Sequence, residues 1–304
     1  MILILVKQIL QMFLLAGIGY LLFKGGKISL EGSKSIGNIL IFASLPAVII
    51  NGFRIERTPE HVSGLLWSAA CAAVLLLISI LVAQFAFKKD GVGAFATTFS
   101  NPGFFGIPLI VATFGQGAVF YAAPFIALLN IGQWTYGVSR LNGQPILQGL
   151  QPKKLIKAPF VIAILVGLVL FITQLPLPAI VVNTLTTSAG LNTPLAMFTV
   201  GIYLAQTNLA KMLTRGVLYK ISVLRLLVIP AISLLVLSLL PPSMQEMKTV
   251  LLIVAACPVG SNVAVYAQLH NKDYPYAVET VVISTILSIL TIPFMLYLST
   301  FLWK

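Results

Sequence analysis

The chain has 304 residues, of which 59% are hydrophobic and only 9% are charged, and its mean hydropathy is +1.02. This composition excludes a water-soluble globular domain, which could not cover so much apolar surface. The formal net charge of +12 would suit nucleic-acid binding only if the basic residues clustered on a soluble module, and they are spread along the chain. We therefore predict a multispanning membrane protein with no nucleic-acid partner.

Continuous apolar runs of about 20 residues, the length that a helix needs to cross a bilayer, follow one another along the chain. Transmembrane barrels give shorter, alternating segments, so the sequence predicts an all-α membrane protein. The start "MILILVKQIL" has no basic segment before its apolar part, and we interpret it as a first span and not as a signal peptide. Charges and turn residues divide the chain into ten predicted transmembrane helices, at 2–23, 33–53, 62–87, 91–114, 117–139, 155–174, 178–206, 216–240, 247–268 and 274–301.

The fourth run contains the segment "TTFSNPGFFGIPLI", Thr97 to Ile110, which combines an asparagine with prolines and glycines. A proline inside a helix removes a backbone donor, and neighbouring glycines permit unwinding. Unpaired backbone groups are costly in lipid, so such a break persists only where protein buries it or where it lines a watery cavity. The segment predicts a helix broken at Asn101 and Pro102.

The longest polar stretch runs from Arg140 to Lys154, and we predict a central cytoplasmic loop at 141–154 between two halves, 1–140 and 155–304. The loops on this side carry 13 Lys and Arg residues, and the opposite side carries 4. Because short cytoplasmic loops accumulate basic residues, both termini are expected on the extracytoplasmic side of the cell membrane. Lys7 and Arg225 lie near span ends and are expected to snorkel to the surface.

Ten spans that begin outside would make any repeat of five spans an inverted one. Pro46 in span 2 and Pro194 in span 7 are 148 residues apart, and Pro102 in span 4 and Pro258 in span 9 are 156 apart. The prolines of the fifth spans are 169 apart and do not fit this offset. The spacing favours two inverted five-helix repeats with broken, crossing helices in spans 4 and 9.

Two such breaks in inverted halves can meet near the middle of the bilayer, where carriers of this kind bind their substrates. Neither "NPGFFGIP" nor "CPVGSNVAVYA" contains a charged residue, and the half-helices direct partly positive N-termini at the breaks, which favours an anion. Ordinary proline kinks and interhelical asparagine hydrogen bonds are the alternative interpretations. The predicted substrate-binding residues are Asn101, Pro102, Gly103, Gly106, Pro258, Gly260, Ser261, Asn262 and Tyr266.

Glu279 is the one acidic residue that falls inside a predicted span. It is either a proton-carrying coupling residue or a carboxylate at a helix start that contacts the cytoplasm. Cys71 and Cys257 lie within apolar runs, and no metal site or cofactor is expected. No nucleotide-binding loop or catalytic grouping is evident, so we do not expect an enzyme.

The segment "NPGFFGIPL" resembles the Asn-x-Gly-Phe-x-Gly-x-Pro element of the auxin efflux carrier family, which comprises the plant PIN-FORMED proteins and bacterial relatives. The segments "FASLPAVIING", "TPLAMFTVGIYLA", "ACPVGSNVAVYA" and "ISTILSILTIP" are similar to other signatures of that family. The resemblance covers essentially the whole chain. The resemblance implies that four residues lie where the broken helices cross, namely Asn101, Pro102, Pro258 and Asn262.

The resemblance implies a fold shared with bile-acid symporters and sodium/proton antiporters. Spans 1, 2, 6 and 7 would form a scaffold domain, and spans 3–5 and 8–10 a transport domain, in a homodimer. Members carry organic anions, namely auxin in plants and malate or malonate among bacterial relatives. The chain lacks the long central loop of the plant carriers, which argues against auxin as its substrate.

The expected function is therefore a secondary active transporter of small organic anions such as mono- or dicarboxylates, working by alternating access in an elevator movement. Protons or sodium are candidate coupling ions. One alternative is a sodium-coupled symporter of the bile-acid-carrier type. Another is a non-transporting membrane sensor that keeps the fold.

Overall fold

The computed structural model describes residues 2–145 and 157–303, which are almost entirely helical. The first helices are α1 (Ile2–Lys24), α2 (Leu30–Gly52), α3 (Pro59–Ala86), α4 (Gly91–Thr98), α5 (Pro102–Phe114) and α6 (Gln116–Asn142). The later helices are α7 (Pro159–Thr173), α8 (Ala179–Gly190), α9 (Asn192–Gln206), α10 (Leu209–Leu213), α11 (Gly216–Ser238), α12 (Gln245–Ala256), α13 (Asn262–Leu269) and α14 (Tyr274–Leu302). Most of the predicted central loop, at 146–154, lies outside the described residues.

The apolar runs of the sequence correspond to helices whose ends lie within a few residues of the predicted ones. Three runs each contain two helices, which are α4 and α5, α8 and α9, and α12 and α13. The first and third of these divisions confirm the predicted breaks at Pro102 and Pro258. The second lies at Leu191, three residues before Pro194.

Six helices in the described part of the chain are long and apolar enough to cross a membrane, judged by length and composition. They are α1, α2, α3, α6, α11 and α14. The helices α5 and α7 are apolar but shorter. The structure therefore shows an all-helical protein with several candidate spans. The inverted ten-span arrangement stays a prediction, because the divided runs contain no single helix of spanning length.

The burial pattern distinguishes central helices from peripheral ones. Every residue of α12 from Met247 to Ala256 is buried, so this helix lies in the middle of the bundle. In α8, by contrast, Ala189 is the single buried residue. The helices α1 and α9 approach so closely at Gly201 that a Cβ atom there would overlap the Ala16 carbonyl oxygen. A small residue is required for such an approach.

Candidate functional site

The two helix breaks lie side by side and pair with each other. Ser100 and Val259 form an antiparallel bridge between the segment joining α4 to α5 and the segment joining α12 to α13. The Asn101 N–H donates to the Pro258 carbonyl at 2.9 Å, and the Gly260 N–H donates to the Phe99 carbonyl at 2.9 Å. Backbone groups released by the two breaks thus satisfy each other, as buried polar groups require. We call this paired segment, residues 99–101 and 258–260, the crossing.

Local chemistry explains why the chain leaves the helix on the first side of the crossing. Asn101 has φ −110° and ψ 64°, which is not helical, and its Oδ1 accepts a hydrogen bond from the Phe104 N–H at 3.3 Å. This is the side-chain cap that begins a new helix. Pro102 follows as the first helical residue, where its missing N–H costs nothing.

Glycine is required on the second side because the two backbones are so close. A Cβ atom on Gly260 would lie 2.7 Å from the Ser100 carbonyl oxygen. One on Gly106 would lie 3.1 Å from Cys257 Sγ, so α5 and the second break are also tightly packed. The predicted residues Asn101, Pro102, Gly106, Pro258 and Gly260 therefore build and pack the crossing, and none of them lines the neighbouring cavity.

A cavity of about 390 Å³ lies beside the start of α13. It is bounded by α2 and α9 on one side and by α13 and single residues of α5 and α14 on the other. The lining residues are Leu30, Ser33, Lys34, Gly37, Asn38, Ile41, Phe104, Thr199, Ile202, Tyr203, Gln206, Ser261, Asn262, Val265, Gln268 and Tyr274. Several of them stand where α2 and α14 begin or where α9 and α13 end, next to the loops of the basic side.

The cavity lining carries charge of one sign in the described part of the chain. Among the described lining residues, Lys34 is the one that is charged, and neither Asp nor Glu occurs among them. The N-terminal end of α13, at Ser261 and Asn262, adds the partial positive charge of a helix start. Amide, hydroxyl and phenol groups supply the remaining polar contacts. The arrangement suits a small anion that accepts hydrogen bonds.

Ser261 and Asn262 are the predicted site residues that the structure places in the cavity wall. Asn262 also donates from Nδ2 to Gln133 Oε1 at 2.9 Å, which ties α13 to α6. Gly103 precedes the lining residue Phe104, and a Cβ atom added to it would lie 3.5 Å from the Leu45 side chain. The Gly103 carbonyl accepts a hydrogen bond from Asn192 Nδ2 at 3.2 Å. Asn262 therefore makes the interhelical hydrogen bond that was one interpretation of the sequence, and it also lies in the cavity wall, where its contact with a substrate stays a prediction.

Tyr266 does not line the cavity, although the sequence placed it among the site residues. The cavity face of α13 is formed by Ser261, Val265 and Gln268, which recur at helical spacing. Tyr266 points to the adjacent face and packs against two aromatic rings. The distance between ring centres is 5.2 Å to Phe95 and 5.4 Å to Trp134. Its side chain is a packing element.

Glu279 forms an ion pair with Arg215, with 2.5 Å between Oε2 and the guanidinium nitrogen. The same guanidinium lies 4.8 Å from the centre of the Tyr276 ring, and the Tyr276 hydroxyl donates to Asp90 Oδ2 at 2.8 Å. Asp90 in turn caps α4 by accepting from the Gly93 N–H. Glu279 thus belongs to a polar network on the basic side of the protein and lies outside the cavity described above.

Arg225 is the functional candidate that the sequence interpretation missed. We expected it to snorkel to the surface, but its exposed fraction is 0%. Its guanidinium donates to the carbonyl oxygens of Thr97, Thr98 and Ala255. These residues come just before the two crossing segments in the chain, and we describe this position as behind the crossing. A cation more than two turns inside the apolar run of α11 was the available signal, because intramembrane charges are rarely incidental.

Within residues 2–145 and 157–303, no group of three or more His, Cys, Asp or Glu side chains is placed to hold a metal ion. Both cysteines are free and buried. The polar groups of the candidate site are the start of α13, the amide side chains and the Lys34 ammonium group.

Comparison with known proteins identifies the family. A family model described as "Membrane transport protein" matches residues 4–149 and 145–296, so the two matches together cover nearly the whole chain. No curated protein matches the chain. The extent of the family match, together with the paired helix breaks, leads to one conclusion: the chain belongs to the auxin efflux carrier (PIN-like) family of membrane transport proteins.

Proposed function

We propose that this membrane transporter is a secondary active carrier of small organic anions, such as mono- or dicarboxylates, and that it works by alternating access. In this proposal α3–α6 and α11–α14 form the transport domain, which moves against a scaffold of α1, α2 and α7–α9. The cavity lies between α2 and α9 of the scaffold and α5, α13 and α14 of the transport domain. A substrate bound there would contact both parts, as alternating access requires.

The observation that carries the proposal is the charge of the cavity. Lys34, the start of α13 and neutral amides surround a space whose lining residues, as far as the structure describes them, include no carboxylate. An anion gains from both positive contributions, whereas a cation would be repelled by both. The volume of about 390 Å³ is within the range of small-molecule sites.

The position of the cavity suggests the state of the carrier. Its wall includes Lys34 near the start of α2 and Gln206 at the end of α9, which adjoin loops rich in Lys and Arg. Since such loops are typically cytoplasmic, we infer an inward-facing state with both termini outside.

Uptake by purified protein in proteoliposomes tests the proposal. Labelled lactate, malonate and malate are offered separately, with protein-free liposomes as the blank and uncharged malonamide as a competitor. We expect uptake of at least one carboxylate above the blank, with no competition from malonamide. Stabilisation of the protein by a carboxylate without any flux would instead support a membrane sensor.

A matched pair of variants connects the flux to the cavity. Lys34→Ala removes the charge in the cavity wall, and Lys27→Ala removes one in the preceding loop that does not line it. Loss of about 1 kcal/mol of attraction corresponds to roughly a fivefold loss of affinity. We expect this loss for Lys34→Ala alone. Equal behaviour of the two variants would contradict the assignment of the cavity.

A further inference from the structure

Arg225 lies in a π-helical turn of α11, Leu224–Val228, and is completely buried. One terminal nitrogen donates to the carbonyl oxygens of Thr97 at 3.3 Å and Thr98 at 3.2 Å. The other terminal nitrogen donates to the carbonyl oxygen of Ala255. A single side chain thus joins the two halves of the protein behind the crossing.

The carbonyls that Arg225 contacts belong to the last turns of α4 and α12, which end at Thr98 and Ala256. These are the groups that a helix leaves without intrahelical partners. The C-terminus of a helix carries about −0.5 elementary charge, so two converging C-termini carry about −1. The guanidinium, which stays protonated in proteins, supplies the matching +1.

In the described part of the chain, no carboxylate is paired with the Arg225 guanidinium. Among the described residues, Arg215 and Glu279 form the one ion pair, and it lies elsewhere. The two terminal nitrogens of Arg225 are thus paired with backbone oxygens, and its buried Nε has no hydrogen-bond partner among the described residues. Burial of a charge is expensive, and the three carbonyl contacts are what makes this position tolerable.

Converging carbonyl oxygens at helix C-termini are also the ligands that ion-coupled carriers offer to Na⁺. Two further oxygens are close in sequence, since Thr97 Oγ1 and Ser100 Oγ are buried and have no hydrogen-bond partner among the residues described. Hard cations prefer such oxygen ligands. The space behind the crossing thus has the chemistry of a monovalent cation site, and the guanidinium occupies it.

We propose that Arg225 is a built-in cation that replaces a coupling Na⁺ at the crossing, so that anion transport by this protein is independent of sodium. The proposal rests on the proposed carrier function for its meaning in transport. It also makes a prediction about the molecule alone. Removal of the guanidinium exposes the carbonyls and makes the fold dependent on an added small cation.

Thermal unfolding of the purified protein tests this prediction without any substrate. The melting temperature is measured in NaCl, in choline chloride and in dilute guanidinium chloride at equal ionic strength. We expect wild-type protein to melt at the same temperature in NaCl and choline chloride. In choline chloride we expect Arg225→Ala to melt at a lower temperature than wild type. In NaCl or guanidinium chloride its melting temperature should rise again by about 3 °C or more, because a ligand of the folded state stabilises that state.

Lys220→Ala is the matched control, because Lys220 also lies on α11 and donates to one helix-end carbonyl, that of Ala86, at the protein surface. This variant should show no cation-specific recovery. Should Arg225→Ala fail to fold, Arg225→Lys and Arg225→Met replace it, and the charged variant should be the more stable of the two.

Three results would overturn the proposal. They are a sodium-specific rise in the melting temperature of wild-type protein, an Arg225→Ala variant as stable as wild type in choline chloride, and an Arg225→Met variant at least as stable as Arg225→Lys. A failure to transport anions would refute the proposed function but would leave these melting temperatures unchanged. The two proposals are therefore tested separately.

Discussion

Substitution of Gly260 by alanine is the sharpest perturbation of the crossing. The Cβ atom of the new alanine would lie 2.7 Å from the Ser100 carbonyl oxygen and 3.3 Å from the Phe99 carbonyl oxygen. Ordinary contacts begin at 3.4 Å, so the backbones must separate by about 0.7 Å. Both neighbours are backbone atoms and cannot move aside by a change of rotamer.

The magnitude follows from what such a separation breaks. The hydrogen bonds from Gly260 to Phe99 and from Asn101 to Pro258, each 2.9 Å long, join the same two segments. Their loss costs about 1 kcal/mol each. Overpacking adds about 1–3 kcal/mol, and partial relaxation lowers the total to about 2–4 kcal/mol. For a chain of this size we expect the melting temperature to fall by about 3–6 °C.

Differential scanning fluorimetry of the purified protein measures this shift. Gly17→Ala is the matched control, because its Cβ would meet nothing within 4 Å in the interior of α1. Alanine favours helix at such a position, so the control should be neutral or slightly stabilising. If Gly260→Ala melted within about 1 °C of wild type, a shift that corresponds to less than about 1 kcal/mol, the close pairing of the two breaks would be refuted.

Three further substitutions have defined outcomes. Asn101→Ala removes the side-chain acceptor that caps α5 at the Phe104 N–H, and it should lower the free energy of unfolding by about 1 kcal/mol. Asn101→Asp keeps an acceptor and should cost less. Equal losses for the two variants in thermal melts would argue against the cap. Glu279→Gln breaks the ion pair with Arg215, which is 39% exposed, so we expect a loss below about 1 kcal/mol and an unaltered pH profile of uptake. A flattened pH profile would make Glu279 a coupling residue. Lys34→Glu should raise KM for a transported carboxylate about tenfold or more at similar kcat, and an unchanged KM would remove Lys34 from the site.

The helix breaks could be predicted from sequence because their causes are local. An asparagine that caps a helix, a proline that cannot donate and a glycine that permits close approach all act within a few residues of the break. The segment around Pro102 contains all three, whereas the segment around Pro258 contains the proline and the close glycine but no side-chain cap at the start of α13. The lengths of the apolar runs likewise gave the helix ends to within a few residues, since they depend on chain composition alone.

The partners of individual side chains could not be predicted, because they depend on which face of a helix meets which neighbour. Helices that are apolar all round give no such direction. Arg225 could thus be located near the end of a span but not assigned to the carbonyls of Thr97 and Ala255. For the same reason Tyr266, one turn beyond the second break, was expected at the site and lies against Phe95.

The most direct test of the account compares wild-type protein with Asn262→Asp, which places a negative charge in the cavity wall. The melting temperature is measured with lactate, malonate and malate, with uncharged malonamide and with an organic ammonium salt of similar size. At about 100 times its Kd a ligand adds roughly 2.7 kcal/mol of stability. We predict that at least one carboxylate raises the melting temperature of wild type and has little effect on Asn262→Asp. Stabilisation by the ammonium salt, or an equal response of the variant to carboxylates, would contradict a site built for anions.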